Sequence, residues 1–355
     1  MKKILIAGAG GAPSEGVIRS LLEDKEKFSV IGMGSEPTDL ALSKAERKYW
    51  VPYANDPSYP EQLFKVIEKE KPDLIHFQND LEVYHGSLLR DELHNRNVRT
   101  FMPPHDVIDT CVDKFKTYLK LKAGNITVPK NILLNNEQDL KNAFAELADD
   151  QGKIWLRASS IGAGGKGALP TNNLEFAKNW INHFNGWGDF CAAQMLTNKS
   201  VTWLSIWHKG ELVVAQTRIR KGWVHGNRTL SGVTGVTKVG QTYSNQLVDE
   251  IATKTIYAVD QHPNGIYAVD MTYDNQNIPN PTEINISRFF TTVLFFTRAG
   301  LNLPSIFANI ALHNQIPTLP KKINPLKDGL LWLRGMDTEP ILVHETEMHK
   351  HINFL

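Results

Sequence analysis

Gly265-Ile266-Tyr267-Ala268-Val269-Asp270-Met271-Thr272 reads as a strand that ends on an acid, and thirteen residues after that acid comes Thr282-Glu283-Ile284-Asn285-Ile286-Ser287-Arg288. In a strand, side chains two apart share a face, so Glu283 and Asn285 point the same way. A hairpin joining the two runs would bring Asp270 beside them. Three oxygen donors on one wall suit Mg²⁺, a hard cation that also takes phosphate oxygens and water. Arg288 would lie near the same phosphates. The competing reading is a polar strand face paired with solvent or with lysines. An E-x-N pair next to an arginine, with an upstream acid at hairpin distance, favours the metal–phosphate reading.

Upstream, Lys153-Ile154-Trp155-Leu156-Arg157-Ala158-Ser159-Ser160-Ile161-Gly162-Ala163-Gly164-Gly165-Lys166-Gly167-Ala168 carries a second signal. It is not a Walker A loop, which would need glycine at Ser160 and Ser or Thr at Gly167. A strand leads into the glycines and another leaves them, which predicts a hairpin lid. Amides at Gly162, Gly164 and Gly165 would approach phosphate oxygens closely, with Arg157 and Lys166 adding charge. A surface hairpin without a ligand is the other reading. Another glycine cluster, Gly8-Ala9-Gly10-Gly11-Ala12-Pro13, lies near the start of the chain, after a strand and before a helix. Pro13 stands where a dinucleotide fingerprint wants its third glycine, and no acid ends the second strand to hold a ribose. This cluster reads as a tight strand–helix turn in a Rossmann-like domain without a dinucleotide.

Around these motifs the chain is ordinary. Its 355 residues call for two or three domains. A net charge of +1 gives no field to recruit nucleic acid or an anionic membrane. Cys111 and Cys191 lie far apart, which argues against a disulfide framework and predicts a reducing cytoplasm. Met1-Lys2-Lys3-Ile4-Leu5-Ile6 reads as a first strand and not a signal peptide. No apolar run approaches the ~20 residues that span a bilayer.

Strand and helix signals alternate up to about residue 104: strands at Lys3–Ala7, Phe28–Gly32 and Asp73–Phe77, helices at Glu15–Leu22, Glu61–Lys69 and Leu81–Leu93. That order makes a parallel sheet with helices on both faces. After Pro103-Pro104 a single helix is expected over Asp106–Gly124, capped by Asp106. Strands follow at Lys153–Arg157 and Gly167–Leu169, then a helix at Leu174–Phe184. From Phe190 strands dominate: Ala192–Leu196, Val201–Trp207, Leu212–Thr217 and Gly265–Tyr273, with a helix over Asn245–Asp260. Strand-like runs at Leu330–Leu333 and Ile341–Val343 close the chain. Trp203 and Trp207 share a strand face and read as core. His344-Glu345-Thr346-Glu347-Met348-His349-Lys350-His351 lacks zinc-motif spacing and reads as a solvated tail.

Taken together, these motifs resemble the ATP-grasp superfamily over nearly the whole chain and in its order, particularly single-copy proteins like the synthetase subunit of carbamoyl phosphate synthase. The resemblance implies an α/β chain: a Rossmann-like preATP-grasp domain (1–104), an ATP-grasp A subdomain with the glycine lid (105–190), a B subdomain with the Mg–ATP site (191–316), and C-terminal strands and tail (317–355). It makes Lys114, Arg157, Gly162, Gly164, Gly165 and Lys166 phosphate-binding residues. Ala193-Gln194-Met195-Leu196 is similar to the hinge that binds adenine through backbone groups. Asp270, Glu283 and Asn285 match the Mg²⁺ ligands, with Mn²⁺ as the alternative ion, and Arg288 the phosphate-binding arginine. The departures are Gln194, where many members carry glutamate, the lack of a ribose acid near Ser200 or Val201, and Arg288, three residues after Asn285 where several branches place arginine two after.

The implied reaction is that of a ligase. It phosphorylates a small-molecule carboxylate with Mg-ATP and transfers the acyl group to an amine, releasing ADP and phosphate. Only one synthetase copy is present, which fits one phosphorylation per cycle. Nucleic acid and membrane are not expected as partners, and the family's habit of dimerising makes a homodimer an expectation. The acceptor site is expected at Arg218–Trp223 and Asn227–Gly235, with Arg228 forking onto a substrate carboxylate; a basic surface loop is the other reading. Competing functions are a kinase-like enzyme that releases the acyl or carbamoyl phosphate, a non-catalytic ATP-binding regulatory protein, and a dinucleotide oxidoreductase.

Overall fold

A computed structural model describes residues 1–24, 28–160, 167–335 and 341–347. The chain opens with β1 (Lys3–Ile6), α1 (Ala12–Leu22), β2 (Ser29–Gly34), α2 (Pro37–Leu42), β3 (Arg47–Trp50), α3 (Tyr59–Glu70), β4 (Leu74–His76), α4 (Asp80–Leu88) and α5 (Arg90–Asn95). The strands form a parallel sheet in the order β3-β2-β1-β4. β2 and β4 are buried along their whole length, as a parallel sheet covered on both faces requires. β3 was not expected from the sequence. It is an edge strand alternating half-buried and exposed residues, and its Arg47 and Lys48 mask the apolar pattern.

Two expected helices are broken. Leu81–Leu93 divides at Leu89 into α4 and α5. Asp106–Gly124 divides into α6 (His105–Val112) and α7 (Lys114–Ala123). Asp106 is not the cap, since α6 begins at His105 directly after Pro104. The capping acid is Asp113, whose carboxylate accepts from the amides of Phe115 (2.8 Å) and Lys116 (2.9 Å). The chain therefore turns at Asp113, and Lys114 becomes the first residue of a new helix.

A second sheet follows: β5 (Asn131–Leu133), α8 (Glu137–Leu147), β6 (Ile154–Ala158), β7 (Leu169–Thr171), α9 (Leu174–His183) and β8 (Phe190–Ala193), paired antiparallel in the order β5-β8-β6-β7. The strands expected at Gly167–Leu169 and Ala192–Leu196 lie at β7 and β8 instead, so Met195 and Leu196 run on past a strand end. The lid residues Gly162, Gly164, Gly165 and Lys166 lie outside the described residues.

The large sheet contains β9 (Ser200–His208), β10 (Glu211–Trp223), β11 (Thr237–Thr242), then α10 (Gln246–Val259), β12 (Gly265–Tyr273), β13 (Pro279–Ile286), α11 (Val293–Arg298), α12 (Leu303–His313), β14 (Leu330–Leu333) and β15 (Ile341–His344). Its order is β13-β12-β9-β10-β11-β14-β15. The C-terminal strands thus complete this sheet. One face of β9 buries Val201, Trp203 and Trp207 in the same core as Val248, Ala252 and Ile256 of α10. The opposite face is divided. Leu204 and Ile206 join a core with Phe289, Phe295 and Phe307, while Ser200 lines a cleft and Thr202 is buried behind its wall, bonded to Arg218. The first unit packs tightly here: a methyl added to Gly16 of α1 would lie 3.1 Å from Val293 Cγ1 of α11.

Candidate active site

The hairpin expected from the sequence is present, and its register sets the site. Asp270 on β12 is directly opposite Glu283 on β13, and Ala268 is opposite Asn285. On its other edge Asp270 is opposite Thr202 of β9, and Thr202 is opposite Arg218 of β10. One polar row, Glu283–Asp270–Thr202–Arg218, therefore crosses four strands on the same sheet face.

Hydrogen bonds tie the row together. The Thr202 hydroxyl donates to Asp270 Oδ1, and Asn285 Nδ2 donates to Asp270 Oδ2 at 3.2 Å. Arg220 Nη2 stands 3.5 Å from Asp270 Oδ1. Lys114 Nζ stands 3.5 Å from Glu283 Oε1. Burial works to raise the Glu283 carboxyl, but Lys114, Arg288 and Arg157 outweigh it and hold it below the ordinary carboxylate value. Glu283 is thus an anion at neutral pH.

Lys114 owes its position to the break at Asp113. Ser159, at the end of β6, donates its hydroxyl to Asp113 Oδ1 (2.6 Å), and its Oγ and backbone carbonyl accept from the amides of Phe115 (2.8 Å) and Lys114 (3.0 Å). Asp189 holds the same stem, accepting from the Ser160 amide at 2.9 Å. The strand that leads into the glycines is thereby locked to the helix that presents Lys114. Arg157, on that strand, has a buried Nε with no partner.

Arg288 is reached from the other end of the molecule. Asp80, the first residue of α4, accepts from its Nε (2.5 Å) and Nη2 (3.0 Å). Gln78 clips the next residue on both backbone groups, donating to Phe289 O (2.8 Å) and accepting from Phe289 N (3.0 Å). Burial works to lower the Arg288 pKa, and Asp80 leads the carboxylates that raise it overall.

A cavity of about 790 Å³ joins these groups. Six basic side chains (Lys114, Arg157, Arg218, Arg220, Lys221 and Arg288) and two acidic ones, Asp270 and Glu283, line it among the described residues. Gln194, Met195 and Leu196 form part of the same wall. The Gln194 amide and side-chain oxygen are engaged with Lys130 at 3.1 and 3.0 Å. Arg228 is not brought to the cavity. It stands exposed on the helical turn Gly226–Arg228, whereas neighbouring Thr229–Val233 line the wall. Thr202, Asp80, Gln78 and Ser159 are the site residues that sequence reasoning missed.

Among the described residues no three His, Cys, Asp or Glu side chains gather as a metal site. The candidate cation set is instead a mixed one: Asp270, Glu283 and the amide of Asn285, all hard oxygen donors on one wall, which fits Mg²⁺. The Gly8–Gly11 turn is already filled by the protein's own acids. The Gly10 amide donates to Glu15 Oε1 at 3.0 Å, and the Gly8 amide to Glu82. A pyrophosphate would have to displace both side chains.

No protein-family model matches the chain, and no curated protein matches it by sequence. Solved structures do match. A carboxyaminoimidazole ribonucleotide synthase from Aspergillus clavatus, complexed with ATP, aligns with a TM-score of 0.70 at 13% identity, over 94% of this chain and 81% of that one. The biotin carboxylase domain of a Hydrogenobacter thermophilus 2-oxoglutarate carboxylase, in complex with MgADP, ADP and bicarbonate, gives 0.69 at 16% identity, over 94% and 74%. The fold is the ATP-grasp fold. An L-amino acid ligase from Bacillus licheniformis aligns at 0.65 with 12% identity, over 94% and 79%. At such identities the likeness fixes the ATP-grasp architecture, and the chemistry has to be read from the side chains.

Proposed function

We propose that this ATP-grasp chain is an ATP-dependent ligase that phosphorylates a carboxylate and passes the acyl group to an amine. The observation that carries this reading is the Asp270–Glu283 cross-strand pair, with Asn285 beside it and Lys114 and Arg288 charge-coupled to Glu283. Two acids amid six bases are a poor match for a neutral ligand and a good one for a triphosphate.

Adenine would lie along Gln194–Leu196, where β8 has ended. Lys114 and Arg157 would meet the phosphates, with Gly162, Gly164, Gly165 and Lys166 closing over them. A divalent cation, Mg²⁺ or Mn²⁺, held by Asp270, Glu283 and Asn285, would supply charge neutralisation between phosphate oxygens. Arg288, its fork fixed by Asp80, orients the transferring group. A substrate carboxylate oxygen attacks the γ-phosphorus, and ADP leaves with the bridging oxygen, giving an acyl phosphate. The amine then attacks the acyl carbon and loses a proton, and inorganic phosphate departs. An acyl phosphate hydrolyses readily, so the cleft would have to exclude water during transfer.

The neighbours act on different substrates, so none of theirs is carried over. Arg157 supports the finer placement near carbamoyl phosphate synthase, whose branch carries arginine there. The divisions 1–104, 105–190, 191–316 and 317–355 are part of the proposal, although β14 and β15 pair into the sheet of the third segment. Among the described residues no helix is long and apolar enough to cross a membrane. The test is a phosphate-release screen of carboxylates crossed with amines, with and without Mg²⁺. Mg²⁺-dependent release that needs both substrates is expected. Nucleotide binding without release under any pairing would turn the assignment to a regulatory protein.

A further inference from the structure

β10 places Arg218 and Arg220 two residues apart, so both guanidiniums stand on the face that carries Thr202, Asp270 and Glu283. Their surroundings differ from those of Lys114 and Arg288 in the same cleft. Lys114 has Glu283, and Arg288 has Asp80. Arg218 is 1% exposed, and among the described residues no carboxylate lies within ion-pair distance of it. Its Nη1 donates to the hydroxyls of Thr237 and Thr292, both at 2.9 Å, and its Nη2 to Thr202 at 2.7 Å. Its Nε has no partner. The face of Phe290 lies 4.6 Å from the guanidinium carbon. These contacts orient the group without neutralising it, and a buried guanidinium without a counter-charge is costly to keep.

Arg220 is in a related position. Among the described residues its one carboxylate is Asp270, at 3.5 Å. Asp270 is also the residue that a bound cation would engage. With Asp270 engaged by that cation, neither arginine would keep a carboxylate within ion-pair distance among the described residues. Trp223, with its ring 4.0 Å from the Arg220 guanidinium, and the Ser200 hydroxyl, accepting at 3.0 Å, hold Arg220 in place. Arg218 stands at the far end of the row from Lys114, while Arg220 reaches back to Asp270 between them. From Glu283, beside Lys114, to Arg218 the row crosses three strand spacings, about 14 Å. A ligand reaching both ends carries negative charge at two separated places.

We infer that Arg218 and Arg220 form a fixed subsite for a second anionic oxygen group, a carboxylate carried by the substrate itself, so that the cleft selects dicarboxylate or amino-acid-like substrates over simple monocarboxylates. The subsite takes its meaning from the ligase reading, but its occupancy can be tested without turnover. The alternative source of the same chemistry is a phosphate of the nucleotide.

The experiment is a thermal-shift titration with malonate, with inorganic phosphate in parallel, at constant ionic strength. It uses the wild type, Arg220→Met and Glu283→Gln, each with and without saturating Mg-ADP. Malonate should raise the wild-type melting temperature saturably, with or without Mg-ADP. The rise should vanish in Arg220→Met and persist in Glu283→Gln. Arg220→Lys, which keeps the charge and loses the fork, should retain part of the rise and serves if the methionine variant does not fold. Loss of the malonate effect on adding Mg-ADP, or a phosphate effect larger than that of malonate, would assign the arginines to the nucleotide and overturn the proposal. So would an equal malonate rise in Arg220→Met, or no saturable rise in the wild type. A failed ligase reading shows up separately, as no Mg-ADP shift in the wild type while the malonate shift remains.

Discussion

The Asp80–Arg288 pair makes a quantitative claim, because it joins the first unit to the proposed phosphate site over 208 residues of chain. Both side chains are about one-fifth exposed, at 20% and 18%. An exposed pair contributes ~0.2–1 kcal/mol, and breaking a fully buried one costs about 3–5 kcal/mol. Bidentate geometry with this partial burial places the coupling near ~2 kcal/mol. The assay is a double-mutant cycle of Asp80→Ala, Arg288→Ala and the double variant, with urea unfolding followed by tryptophan fluorescence. Asp80→Ala leaves Arg288 with Glu283 and Asp270 as its nearby carboxylates among the described residues, so it should swing inward. Turnover should then fall about tenfold, and the double variant should lose little beyond Arg288→Ala alone. Additivity of the two single losses within about 0.5 kcal/mol would refute the coupling.

Three further outcomes follow from the same structure. Burial pushes the Glu82 carboxyl up to about 8, against the Gly8 amide. The folded state then holds its proton more tightly than the unfolded chain does, and stability falls as pH rises from its ordinary value of 4.5 through 8. Glu82→Gln should therefore gain on the wild type between pH 5.5 and pH 8.5 by roughly 1–3 kcal/mol, read from urea midpoints at both values; a gain independent of pH would refute this. Arg228→Ala should leave stability within about 0.5 kcal/mol and leave the carboxylate Michaelis constant unchanged; a severalfold rise would return Arg228 to the substrate site. In Gly10→Ala the new methyl would lie 2.0 Å from the Asp39 carbonyl oxygen, at a φ of +94°. That should cost about 3 kcal/mol or prevent folding, and normal yield with an unchanged melting temperature would contradict the turn geometry at Gly10.

The sequence was most informative where side-chain period and chemistry coincide. Glu283 and Asn285 had to share a face, and Asp270 was within hairpin reach of them, so the acidic wall could be read directly. The buried runs of the parallel sheet and the 246–259 helix were legible for the same reason. β3 was hidden because an edge strand can carry lysine and arginine. The break at Asp113 was hidden because the helical period continues through it, and only the capping geometry shows that one helix has become two. Arg228 shows the opposite failure: a basic, glycine-rich loop has the composition of a binding segment, but its exposure is decided in three dimensions. Asp80, Gln78 and Thr202 left no local trace. Their partners are 208, 211 and 68 residues away, and no window of sequence registers such pairing.

The central claim is that Asp270, Glu283 and Asn285 hold a divalent cation against nucleotide phosphates. Calorimetric titration of ATP into the wild type and into Glu283→Gln, each with Mg²⁺ and with EDTA, tests it most directly. The predicted result is a single Mg²⁺-dependent site in the wild type that weakens at least about tenfold in EDTA and in the variant. Equal binding in all four titrations, or no heat from Mg-ATP in the wild type, would contradict it.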